Sequence, residues 1–187
     1  VLVEELKGEK TSIEEEKKRL SDVMTQLNGE ITDLQQTMKK LGDENKLLAE
    51  KVDRASVFVA SEIRLSPVTL KNDKEQETSL ANKTSKLIVS FSVQNNIAEY
   101  ANTDVFVVIT QPDGTLLTND AWESASTIDT RTDGKKRYTR KIRFEYSKGE
   151  SKKLNFSINA DEYQKGIYHL QLYHNGYLIG QSQKILG

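Results

Sequence analysis

Cysteine is absent from the 187 residues, which excludes disulfides, thiol nucleophiles and any zinc site that depends on Cys ligands. The compartment stays open, because disulfide-free chains fold in cytoplasm and periplasm alike. Proline occurs only at Pro67 and Pro112, so nothing breaks a helix on that account before residue 67. The longest uninterrupted apolar run is residues 105–109, far short of the ~20 residues a membrane helix needs. No charged-then-apolar leader opens the chain. It begins with Val1, as expected of a piece of a longer product, which leaves an upstream signal or anchor an open matter. An excess of charge is also missing. The chain has 27 basic and 28 acidic residues and a formal net charge of -1, which argues against wholesale binding to nucleic acid or an anionic membrane but allows a local patch.

What is present first is a column of seven-residue repeats. Leu6, Ile13, Leu20, Leu27, Leu34, Leu41 and Leu48 recur without a slip. With that column as d, position a holds Val3, Lys10, Lys17, Met24, Ile31, Met38, Asn45 and Val52. The second half therefore carries a full a/d seam. Glu, Lys, Gln, Asp and Thr dominate between these positions, and a continuous helix follows, ~75 Å long over about 50 residues at 1.5 Å per residue. A stripe this narrow cannot be hidden by one helix alone. No other segment repeats the pattern, so the expected partner is a second copy. Leu at d with one Asn at a favours a parallel homodimer, with a trimer open. The residues expected to form it are Leu20, Met24, Leu27, Ile31, Leu34, Met38, Leu41, Asn45, Leu48 and Val52. The first heptads, with Lys10 and Lys17 at a and Glu9 facing Glu14 of the other copy, should be the loose end.

After Val52 the period changes from seven to two. Val57, Val59, Ile63 and Leu65 are expected on one face of a strand, with Phe58, Ala60, Glu62 and Arg64 on the other. This divides the chain into a coiled-coil stalk, residues 1–54, and an all-β domain, residues 55–187. Leu87, Val89, Phe91 and Val93 alternate, residues 105–109 form a β-branched run, Tyr138, Ile142, Phe144 and Tyr146 share a face, and so do Leu154, Phe156 and Ile158. Asn175-Gly176 between apolar runs predicts a type I′ hairpin. That hairpin is expected to set Leu172 opposite Ile179, with Tyr168, Leu170 and Leu172 inward and His169, Gln171 and Tyr173 outward. Pro112-Asp113-Gly114 and Asp133-Gly134 read as turns. About seven strands without a long helix indicate an antiparallel β-sandwich.

The run from Asp161 to Leu170 resembles the entry to the F strand of immunoglobulin-like (Ig-like) domains. There, a turn with Gly precedes a Tyr whose hydroxyl ties the corner to the backbone. Tyr168 matches that tyrosine, and Leu170 stands where immunoglobulin domains carry a cysteine. With neither disulfide nor a Trp on the candidate C strand, the resemblance is to the broad Ig-like class of bacterial surface and periplasmic modules. It implies an Ig-like sandwich and favours a periplasmic or cell-envelope setting over the cytoplasm.

Chemistry-bearing motifs are sparse. His169 and His174 are five apart on one strand, so alternation sends them to opposite faces, where they cannot share a metal. No EF-hand, metalloprotease, phosphate-loop, dinucleotide or nucleophile-elbow signature occurs, and no cofactor, metal or enzyme activity is expected. Two features suggest recognition. Arg137, Lys141 and Arg143, within the basic segment 131–143, are expected on the polar face of one strand. They can contact an acidic polymer or protein, or protect a sheet edge from aggregation. Trp122 is the only Trp, in a polar stretch, and suits either a partner anchor or the closing of one end of the sandwich. The expectation is a non-enzymatic, coil-dimerised β-sandwich for cell-envelope assembly or ligand presentation. The alternative is an intracellular scaffold binding nucleic acid or an acidic partner through segment 131–143.

Overall fold

A computed structural model describes residues 2–72, 74–118 and 127–187. Its contacts divide the chain into two units, Val1–Val52 and Asp53–Gly187. A long helix, α1, spans Leu2–Ala55 and buries none of its residues. Its strong helix formers and lack of proline account for its continuity. Among the described residues no helix is long and apolar enough to cross a membrane.

The second unit is built from antiparallel strands. They are β1 (Val59–Lys71), β2 (Lys74–Glu77), β3 (Lys86–Gln94), β4 (Tyr100–Thr110), β5 (Thr127–Thr130), β6 (Gly134–Arg137), β7 (Arg140–Tyr146), β8 (Ser151–Ile158), β9 (Gly166–His174) and β10 (Tyr177–Leu186). One sheet runs β2-β1-β3-β8, a second runs β10-β9-β4-β7, and β5 pairs with β6 alone. The alternating residues of β3 meet those of β4 and β9 in one core, where Leu87, Val89, Phe91, Val93, Val105, Val107, Ile109, Tyr168, Leu170 and Leu172 are buried. The seven strands legible from apolar alternation are joined by β2, β5 and β6. Each of these has only four residues, too few to show a period.

Four sequence expectations need correction. A bulge between Ser61 and Arg64 interrupts the β1–β3 pairing, with Glu62 at φ 51°. The inserted residue shifts the phase, so Phe58 and Leu65 both reach the core while Val59 stays exposed. The Asn175-Gly176 turn forms with both residues at positive φ, as a type I′ turn requires. A second bulge between Leu178 and Gly180, however, places Gly180 rather than Ile179 opposite Leu172. A Cβ at Gly180 would run into Ile63 Cδ1, so the bulge presents the one residue that fits beneath β1. Tyr173 does not face solvent. It packs with Val108, Ile128 and Tyr138 in a second apolar cluster, because the β5–β6 segment supplies a cover for the outer face of the sheet. Tyr138 belongs to this cluster and not to the face of Ile142, Phe144 and Tyr146, which pack on the main core.

Candidate interaction surfaces

On α1 the residues expected at the seam, Leu20, Met24, Leu27, Ile31, Leu34, Met38, Leu41, Leu48 and Val52, are all 50–73% exposed, and Asn45 is exposed among them. Helical spacing sets them in one stripe. Off the seam, Val23 and Leu47 are also exposed.

The basic segment is divided by the fold. Arg137 ends β6, whereas Lys141 and Arg143 lie on β7, the edge strand next to β4. The three do not form one strand face. The turn Thr139, fully buried, intervenes: its hydroxyl accepts the Ile109 N–H at 2.9 Å. Arg143 grips Asp104 through two hydrogen bonds of 2.8 and 3.0 Å. That guanidinium, more than any other cause, holds the Asp104 carboxyl below its usual range. Arg131 pairs with Asp53 at 2.8 Å and lies over the Tyr177 ring. Lys136 donates to Gln171 Oε1 at 2.9 Å and to the Tyr173 hydroxyl at 3.0 Å, tying β6 to β9. Arg140 donates to the Ser157 carbonyl at 3.0 Å. Much of the segment's charge therefore meets groups of its own fold. Trp122 lies outside the described residues.

A polar hub that composition does not announce holds residues 53–58 of the β unit. Asn95, nearly fully buried, donates through Nδ2 to the Ala55 carbonyl at 3.0 Å and the Val57 carbonyl at 2.8 Å. Its Oδ1 accepts the N–H groups of Ile97 and Ala98, each at 2.7 Å. Its own N–H donates to the Tyr146 hydroxyl at 2.6 Å. Tyr100 donates to the Ser56 carbonyl at 2.7 Å. His174 is fully buried against the rings of Phe58 and Tyr100. Its Nδ1 accepts the Phe58 N–H at 3.4 Å, which leaves Nε2 to carry the proton toward Thr103 Oγ1 at 2.9 Å. Burial pushes the imidazole pKa down to about 4, opposed by the nearby Asp53 charge. One signal for this was present in the sequence: His174 continues the inward alternation of Tyr168, Leu170 and Leu172. For Asn95 no comparable signal exists, since Asn after a strand ordinarily marks a turn.

Among the described residues no buried side-chain nitrogen or oxygen lacks a hydrogen bond. No three His, Asp or Glu side chains among them group to hold a metal.

A model of a family described as a domain of unknown function, DUF8428, matches residues 61–187. The chain belongs to the DUF8428 family. The DUF8428 match covers most of β1 and all of β2 to β10 and stops short of α1. No curated protein matches the sequence. Among solved structures, β-glucosidase 3B from Thermotoga neapolitana with glucose is similar at a TM-score of 0.44 and 12% identity, over 71% of this chain and 16% of that one. The GH3 β-glucosidase of Bifidobacterium adolescentis gives 0.40 and 10%, over 70% and 17%. The alkylpurine DNA glycosylase AlkC of Pseudomonas fluorescens, bound to DNA with an abasic-site analogue, gives 0.38 and 10%, over 70% and 30%. This chain thus spans less than a third of each of these proteins, and at such scores the likeness says nothing of chemistry.

Proposed function

We propose that this DUF8428 protein is a non-enzymatic interaction protein, in which α1 pairs with a second copy as a parallel coiled coil and each copy presents one Ig-like β-sandwich for ligand presentation or cell-envelope assembly. The carrying observation is the exposed a/d stripe of α1. Removing a Leu side chain from water contributes about 1.5–3 kcal/mol, and α1 leaves this gain unrealised from Leu20 to Leu48. The Ig-like reading is supported by strand order: β1-β3-β8 against β10-β9-β4 follows the A-B-E and G-F-C pattern. It is also supported by Tyr168, whose hydroxyl accepts the Gln164 N–H at 2.8 Å, a tie of the tyrosine-corner kind.

Two sandwiches on one stalk gain avidity when both engage a surface, because the second contact becomes intramolecular. Light scattering on the full chain at micromolar concentration tests the reading. A dimer mass is expected; a monomer overturns it. The basic-segment alternative gains no specific support, since Arg131, Lys136, Arg140 and Arg143 all contact groups of the same fold.

A further inference from the structure

Where the chain enters the β unit, a shallow groove is lined by Ala55, Val57, Val59, Gln94, Asn95, Asn96 and Ile97, with a volume of about 360 Å³. Val59 is 69% and Ile97 57% exposed. We propose that this groove is a second contact between copies of the chain, continuing the coiled-coil interface into the β units; the inference rests on the coiled-coil reading above.

Three observations carry it. The first is that the apolar side chains are held outward on purpose-built backbone. Asn95 fixes Val57 from one side and the Ile97 backbone from the other, and is itself anchored by Tyr146, whose hydroxyl also donates to the Glu150 carbonyl at 2.6 Å. The buried Asn95 amide, with four backbone partners, fixes the course of the chain on both sides of the exposed Val59 and Ile97 side chains.

The second observation is charge. In a contact between identical surfaces the groups closest to the two-fold axis meet their own copies, so an ionisable side chain there would meet its like. Among the described residues none lines this groove, although 29% of the sequence is charged. Neutral amides and aliphatic groups are self-complementary, because each amide both donates and accepts.

The third is reach. Val59 lies seven residues beyond Val52, the last seam position. Three of those steps are helical and four extended, which keeps it within about 19 Å of the seam end. Paired helices have axes only about 8–10 Å apart, so the tether is short enough to permit the two grooves to meet.

The cysteine-free chain makes the test direct. Val59→Cys is compared, in the full-length protein, with Arg131→Cys, which also sits at the start of the β unit, against Asp53, but outside the groove. Cross-linking by a short bis-maleimide is followed over time. Val59→Cys is expected to join copies at least about fivefold faster than Arg131→Cys, which reports the effective concentration of two tethered heads alone. Adding Ile97→Lys to Val59→Cys should remove that advantage, since it brings two cations together. Ile97→Cys, which leaves β1 untouched, provides an independent reading of the same contact. A dimer by light scattering in which neither Val59→Cys nor Ile97→Cys outpaces Arg131→Cys overturns this contact and leaves the coiled coil standing. A monomer overturns both.

Discussion

The two units treat apolar side chains in opposite ways. In α1, Leu27 and Ile31 are each half exposed, whereas in the β unit Leu87, Val89, Phe91 and Val93 are completely covered by the same chain. Both carry a regular apolar period. The difference is that a sheet in this fold meets another sheet of its own chain, while a single helical stripe meets only water. Periodicity therefore marks an apolar face in both units, and chain topology decides whether the same chain covers it.

The most severe way to break the contrast is to charge the stripe. Leu27→Asp with Leu34→Asp is expected to raise the dimer dissociation constant by at least about three orders of magnitude, since four apolar contacts per dimer are lost at about 1.5–3 kcal/mol each. The melting temperature of the β unit should not move. Sedimentation equilibrium beside a thermal melt reads both, and persistence of the dimer would sink the seam.

Inside the β unit, Asn95→Ala should destabilise by about 2–4 kcal/mol, because it strips partners from the Ala55 and Val57 carbonyls and from two N–H groups. A urea titration losing less than about 1 kcal/mol would mean that water replaces the amide.

Acid probes the same region through His174. Its folded pKa, about 4, lies below the unfolded value of about 6.5, so the unfolded chain binds the proton first. The contribution is fully present above pH 6.5 and is lost as pH falls toward 4, by about 3 kcal/mol at most. Protonation would also set Nδ1–H against the Phe58 N–H. His174→Gln should flatten this pH dependence; a slope equal to that of the native chain between pH 6.5 and 4 would assign it to other groups.

A smaller effect is expected at Asn45→Ile, which should raise the melting temperature of the coil while admitting trimers, since a polar a position fixes oligomer state at a cost in stability. A less stable, strictly dimeric variant would remove Asn45 from the seam. Smallest of all, Arg143→Ala should cost less than about 1 kcal/mol in a denaturant melt, because the Arg143 side chain is 61% exposed and solvent screens its pair with Asp104. A larger loss would make the β7 edge a structural element and not a solvated one.

Much of this was legible because periods are robust to local detail. The Leu column from Leu6 to Leu48 and the alternation from Leu87 to Val93 survive any choice of turn. The Asn175-Gly176 turn was readable because few residue pairs tolerate two positive φ angles. What escaped has a common physical origin. A single inserted residue at Glu62 exchanges the two faces of a strand without altering composition. Tyr173 is covered by β5 and β6, whose four-residue strands have no period to detect. Arg137 and Lys141 looked adjacent because the interruption between them is a buried threonine, a residue equally at home in a strand. The hub at Asn95 depends on partners as distant in sequence as Val57 and Tyr146, and no local pattern encodes them.

The strand order bears on the sequence of events during synthesis. β3 pairs with β8 and β4 with β9, so neither sheet closes until long loops are brought together, and such non-local pairing slows folding. The helix depends only on near neighbours and emerges first, since chains are made from the N-terminus. Under the pairing proposed above, nascent copies on one messenger would zip their stalks while the β units are still incomplete, favouring partners born together over mixed pairs. Refolding from denaturant would invert that order of advantage: closure of the β unit is unimolecular, whereas pairing of the stalks slows with dilution.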